Sequence, residues 1–237
     1  MALLAPTDIL MQHDNRPIGI FDSGLGGLTV VAALRRELPS ESIIYLGDTA
    51  RVPYGSKSKE TIIQFAEQDA QFLLHKEVKL VVVACNTVSA IAMTHLQEKF
   101  PDARFLGVVE AGVALALCDG PMKRLVVLGT TATINSDSYR KLLHRQYHDI
   151  AVVSVACPFF VPLVEEGLVD GPIAEQVCRL YLKDSLCQPP DAIILGCTHY
   201  PLLKPLIQRL LPAEVRIVDS AEACATAVAD YLRREKM

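Results

Sequence analysis

A chain of 237 residues with 51% apolar residues and a net charge of −4 is long enough to bury a substantial core, and too apolar to be disordered over most of its length. It has no Lys/Arg block and no basic–aromatic interleaving, which argues against nucleic acid as a partner, and no apolar run long enough to cross a bilayer. The seven cysteines are scattered without C-x-x-C or zinc-type Cys/His spacing, so free thiols in a reducing, cytoplasmic setting are expected and a metal site is not.

Residues 1–16 read as a flexible polar arm; Ile9, Leu10 and Met11 are too few for a signal-peptide core, and no basic region precedes them. From Ile18 onward, short apolar runs alternate with segments of helical periodicity. Strands are expected over 18–21, 42–45, 80–84, 104–108, 125–128, 152–155, 192–195 and 215–218. Helices are expected over 28–37, 59–76, 90–99, 138–146, 173–184 and 203–210. Strand then helix, repeated, predicts parallel sheets covered on both faces, and unbroken runs such as Leu80-Val81-Val82-Val83-Ala84 suit such strands.

An internal repeat runs through this pattern. K-L-V-V-V-A-C-N (79–86) and D-A-I-I-L-G-C-T-H (191–199) each join a buried strand to a small residue, a cysteine and polar residues. Asp22 to Cys85 spans 63 positions and Gly129 to Cys197 spans 68, so the two halves run nearly in step. We therefore expect two pseudosymmetric, doubly wound α/β domains with mainly parallel sheets and the active site in the cleft between them. The first takes residues 17–111 plus 219–237 and the second 112–218, with the last strand and helix (215–233) packing back on the first lobe.

Ligands in open α/β sheets bind beyond the carboxyl ends of strands, and four motifs fall there. Asp22-Ser23-Gly24-Leu25-Gly26-Gly27 is a tight turn opening a helix, suited to a carboxylate or phosphate, though its G-x-G-G spacing is not the dinucleotide fingerprint. Pro53-Tyr54-Gly55 is a turn by composition. Cys85-Asn86-Thr87 presents thiol, amide and hydroxyl where a helix starts, a setting expected to lower the thiol pKa. Cys197-Thr198-His199-Tyr200-Pro201 sets a second thiol beside a histidine that can be acid, base or orienter.

Two thiols facing one ligand from opposite sides suit inversion of a tetrahedral carbon. One thiolate takes a proton from one face while the partner thiol delivers a proton to the other, and the roles swap in reverse. Carbanion-like charge would fall to backbone amides and to Ser23, Asn86, Thr87 and Thr198. No lysine stands in a pyridoxal-phosphate setting, so no cofactor is expected. A cysteine hydrolase built on Cys197 and His199 would leave Cys85 without a use, and a binding protein would use the cleft but neither thiol.

At these residues the chain resembles the glutamate racemases of the aspartate/glutamate racemase family. The resemblance runs from about residue 18 to 220. It rests on I-G-I-F-D-S-G-L-G-G (18–27), G-D-T-A-R-V-P-Y-G (47–55), V-V-A-C-N-T-V-S-A (82–90), V-L-G-T-T-A-T-I (127–134), C-P-F-F-V-P-L-V-E-E-G (157–167) and G-C-T-H-Y-P-L-L (196–203). It implies cofactor-free interconversion of L- and D-glutamate for peptidoglycan, cell-wall biogenesis and cell shape, in a homodimer, with aspartate as the alternative substrate. A cell-wall precursor as regulator is left open. The resemblance implies that Cys85 is the base toward D-glutamate and Cys197 the base toward L-glutamate. Asp22 and the pair Glu165/His199 are implied to assist them. Asp22, Ser23, Tyr54, Gly55, Asn86, Thr87, Thr198 and His199 are implied substrate contacts, with Thr130 and Thr133 as further ones. Cys157 is expected to be packing.

Overall fold

The computed structural model describes residues 14–120 and 122–237. Most of the expected arm lies outside these residues. Its last part is fastened, because the buried Lys79 ammonium donates to the Asp14 carbonyl at 2.8 Å and pairs with Glu41 at 2.8 Å.

Two four-stranded parallel sheets carry the chain. The first joins β1 (Ile18–Asp22), β2 (Ile43–Gly47), β3 (Leu80–Val83) and β4 (Phe105–Gly107) in the order β2-β1-β3-β4. The second joins β5 (Arg124–Gly129), β6 (Ala151–Ala156), β7 (Ala192–Gly196) and β8 (Arg216–Asp219) in the order β6-β5-β7-β8. The sequence repeat is thus a repeat of topology.

Helices cover both faces of each sheet. They are α1 (Leu28–Glu37), α2 (Lys59–Leu74), α3 (Asn86–Lys99), α4 (Val108–Leu117), α5 (Thr131–Ser136), α6 (Ser138–Gln146), α7 (Phe160–Glu165), α8 (Pro172–Cys187), α9 (Lys204–Leu210) and α10 (Ser220–Glu235). Strand side chains alternate between faces. Ile18, Ile20, Leu80 and Val82 pack under α1, α4 and α10, while Phe21, Val81 and Val83 pack under α2 and α3. In the second sheet Val126, Leu128, Ile193 and Leu195 meet α7, α8 and α9, and Leu125, Val127 and Ile194 meet α4 and α6.

Helix α4 belongs to both lobes. Val108 and Ala111 enter the first core, and Val109, Val113 and Ala116 the second. A helix buried on opposite faces is apolar almost all round and shows no amphipathic period, which is why V-V-E-A-G-V-A-L-A-L is not legible as a helix. The chain's end divides: β8 completes the second sheet beside β7, while α10 crosses back onto α1 and α4. The expectation that 215–233 returns as one unit is therefore corrected for its strand. No helix among the described residues is long and apolar enough to cross a membrane.

This topology positions the site. In each sheet the connections leave the two central strands in opposite directions, and a crevice opens at their carboxyl ends. Asp22 of β1 runs into Ser23, and β3 leads to Cys85. The equivalent strands β5 and β7 deliver Thr130 and Cys197.

Candidate active site

Cys85 is the N-cap of α3, in extended backbone conformation, and its Sγ donates to Ser23 Oγ at 3.4 Å. Cys197 follows β7, with its Sγ 3.8 Å from His199 Nδ1. On its other side the imidazole places Nε2 3.2 Å from Glu165 Oε1. A carboxylate only accepts, so Nε2 carries the proton and Nδ1 is left as the acceptor that faces the thiol.

Both thiols line one cavity of about 240 Å³. From the first lobe come Ser23, Tyr54, Gly55, Cys85, Asn86 and Thr87; from the second come Thr130, Glu165, Cys197, Thr198 and His199. Two expected substrate contacts lie behind this wall instead. Asp22 is fully buried, accepting from the Gly24 amide at 3.0 Å and from Thr198 Oγ1 at 3.3 Å. Thr133 is also buried; its hydroxyl bonds Thr87 Oγ1 at 3.2 Å and Thr130 Oγ1 at 2.9 Å. Both residues hold the wall in place. Tyr54 reaches the cavity, but its hydroxyl is engaged by Asp48 and by Asp69, the latter at 3.2 Å.

Burial corrects the expected electrostatics. At 5% exposure the Cys85 thiol loses most of its hydration, and burial pushes its pKa up to about 11, with the nearby Asp22 charge adding to the rise. The Ser23 hydroxyl and the amides of Val88 and Ser23 pull it down without prevailing. Burial likewise raises Cys197, against the His199 amide. Asp22 is raised by burial, opposed first by the nearby His199 and then by the amides of Gly24 and Gly27. Burial thus favours the neutral form of both thiols.

The lobes meet closely around the cavity. A Cβ on Gly26 would lie 2.5 Å from His199 Nδ1 and Thr198 Oγ1, and one on Gly55 would lie 2.8 Å from Thr130 Cβ. Thr29 Oγ1 donates to the Thr198 carbonyl at 3.0 Å, and Thr87 and Thr130 share a hydroxyl contact at 2.9 Å. Glycine at 26 and 55 is what permits this approach.

Sequence reasoning missed an apolar wall of Val52, Cys157, Pro158, Val161 and Pro162. Cys157 does pack, as expected, but it also lines the cavity. Its signal was the run C-P-F-F-V-P, read as motif and not as wall. Among the described residues no group of three or more His, Cys, Asp or Glu could hold a metal ion.

A thiol from each of two matched sheets, enclosed together with hydroxyls, an amide and an oriented imidazole, defines a two-lobed α/β protein with an acid–base site at the lobe junction. The pattern of the Asp/Glu/Hydantoin racemase family matches residues 28–228. The glutamate racemase of Aquifex aeolicus is 50% identical over 92% of this chain and 84% of its own. The crystal structure of glutamate racemase from Francisella tularensis in complex with D-glutamate superposes with a TM-score of 0.88 at 44% identity, covering 94% of this chain and 83% of that one. Glutamate racemase isoform RacE1 from Bacillus anthracis gives 0.90 at 38% identity, covering 94% and 84%. The chain belongs to the Asp/Glu/hydantoin racemase family, among its glutamate racemases, and is an isomerase of that class.

Proposed function

We propose that this protein interconverts L- and D-glutamate by cofactor-independent, two-base proton transfer at the α-carbon. The observation that carries the reading is the pair of buried thiols, Cys85 and Cys197, contributed by equivalent strands to one cavity. In the D-to-L direction the Cys85 thiolate removes the α-proton; the C–H bond breaks, an S–H bond forms, and the Cys197 thiol delivers its proton to the opposite face. The L-to-D direction swaps these roles. His199 generates the Cys197 thiolate by accepting its proton on Nδ1, and Glu165 steadies the resulting imidazolium. On the other side Ser23 Oγ accepts from the Cys85 thiol at 3.4 Å and orients it, with the Asp22 carboxyl behind the wall as the assisting group.

Helices α1, α3 and α5 begin at Leu28, Asn86 and Thr131, next to loops that line the cavity. The positive ends of their dipoles favour anions, which suits a substrate with two carboxylates. The relatives at 50% and 44% identity are glutamate racemases, which favours glutamate over aspartate. The same reading carries supply of D-glutamate to peptidoglycan in the cytoplasm, by a homodimer. The test is proton NMR of L-glutamate with the enzyme in deuterium oxide, beside a chiral assay and without added cofactor. Loss of the α-proton signal with appearance of D-glutamate is expected; an α-proton that stays in place defeats the reading.

A further inference from the structure

Asn86 follows the first cysteine and lines the cavity, yet most of its amide is already spoken for. Tyr139, in α6 of the second lobe, donates its hydroxyl to Asn86 Oδ1 at 2.6 Å. Asn86 Nδ2 donates to Ser220 Oγ at 3.3 Å, and Ser220 donates its own proton to the Leu195 carbonyl of β7 at 2.9 Å. Tyr139 is 3% exposed and Ser220 1% exposed, so no water competes for these groups.

The relay has a fixed direction. A carbonyl only accepts, so the single Ser220 proton goes to Leu195 and its oxygen can only accept from Asn86. That turns the NH2 of Asn86 toward Ser220 and its oxygen toward the phenol, which must donate. Each end of the relay imposes the same amide orientation. One N–H of Asn86 remains for the cavity. The Tyr139 ring also backs the second cysteine's strand: a Cβ on Gly196, the residue before Cys197, would lie 3.2 Å from Tyr139 Cε2.

We propose that Tyr139 and Ser220 are positioning residues for the racemisation, holding the Asn86 amide so that it presents an N–H donor to the bound amino acid. The assignment rests on the glutamate reading above. It explains why a fully buried tyrosine of one lobe reaches the first turn of a helix in the other, and why α10 opens with a serine between the two lobes. Without the phenol the amide oxygen loses its donor and only the 3.3 Å contact to Ser220 holds the amide, so the donor it presents to substrate is held less firmly.

The experiment is steady-state racemisation in both directions for wild type, Tyr139→Phe, Ser220→Ala, Ser220→Thr, Asn86→Ala and the double variant Asn86→Ala/Tyr139→Phe, with thermal melts of each. Tyr139→Phe keeps the ring volume, and loss of one buried hydrogen bond is expected to raise KM about tenfold. Ser220→Ala moves KM the same way and Ser220→Thr brings it back. In the Asn86→Ala background, Tyr139→Phe adds nothing further. Calorimetric Kd for D-glutamate gives the same comparison where turnover is too slow. An unchanged KM in Tyr139→Phe, or an equal rise with Asn86 already gone, overturns the assignment. A wild-type enzyme that leaves glutamate untouched instead removes the functional reading, and this role with it.

Discussion

A cysteine at the first turn of a helix meets unpaired amides that favour thiolate, and a cysteine out of contact with water loses the hydration that thiolate needs. Cys85 is subject to both, and its pKa, pushed up to about 11, shows that burial outweighs the amides. The consequence is mechanistic. On the proposed two-base scheme a neighbouring group takes a proton from one thiol when substrate is in place, and for Cys197 the group proposed is His199, whose Nδ1 faces the sulfur. Each thiol then serves one face of the α-carbon, and the alanine variants should separate the two half-reactions. We expect Cys85→Ala and Cys197→Ala each to lower racemisation by about a thousandfold or more, within the range of lost general acid–base catalysis. In deuterium oxide Cys85→Ala should still exchange the α-proton of L-glutamate slowly, with retention, and Cys197→Ala that of D-glutamate. NMR with a chiral assay reads both effects. Racemisation at the wild-type rate by either variant eliminates the two-base scheme.

At the scale of elements, the loop after β2 shows what the sequence offered and what it withheld. Pro53-Tyr54-Gly55 was legible as a turn, and the strands, the two cysteine loops and the repeat were legible because strand burial and turn chemistry are local signals. The brace behind the turn was not legible, since it joins residues distant in sequence. Arg51 pairs with Asp48 at 2.6 Å and with Asp69 of α2 at 2.8 Å, and both carboxylates engage the Tyr54 hydroxyl. Arg51 also lies over the Phe65 ring at 4.3 Å. Helix α4 was hidden for a different reason, having no polar face. Asp22 and Thr133 could be placed near the site by motif, but their position behind its wall follows only from packing.

The brace carries a pH dependence. Burial, then the charge of Asp48, raises the Asp69 pKa to about 6. An unfolded aspartate titrates near 3.9. Between these values the folded protein binds more protons than the unfolded one, so Asp69's contribution to stability is complete below about 4 and is lost as pH rises through about 6. Asp69→Asn removes this titration. Relative to the variant, the wild-type Tm should therefore decline from pH 4 to 6 and run parallel above that. Melting curves across this interval decide it, and a constant difference between the two proteins would show that Asp69 does not titrate there.

At the scale of the molecule, the site exists only where two lobes are held together, so their coupling matters as much as either fold. Among the described residues the sheets share no hydrogen-bonded strands; apolar packing through α4 and α10 joins them, together with the side-chain hydrogen bonds around the cavity. Helix α10 starts where β8 of the second sheet ends, with Asp219 capping the amides of Ala221 and Glu222, and then buries Val228 and Leu232 against the first lobe. Helix α4 presses on both cores at once. Loosening the first core should therefore release α4 and be felt in the second. Leu232→Ala removes a buried side chain and should cost about 2–4 kcal/mol. If the lobes open as one unit, native-state hydrogen exchange should show the opening free energy of amides in β5 and β7 falling by the same amount as that of amides in β1 and β3. A drop confined to β1 and β3 would mean that each lobe opens alone. In that case the close contacts of Gly26 with His199 and of Gly55 with Thr130 would be the surfaces that part when substrate enters.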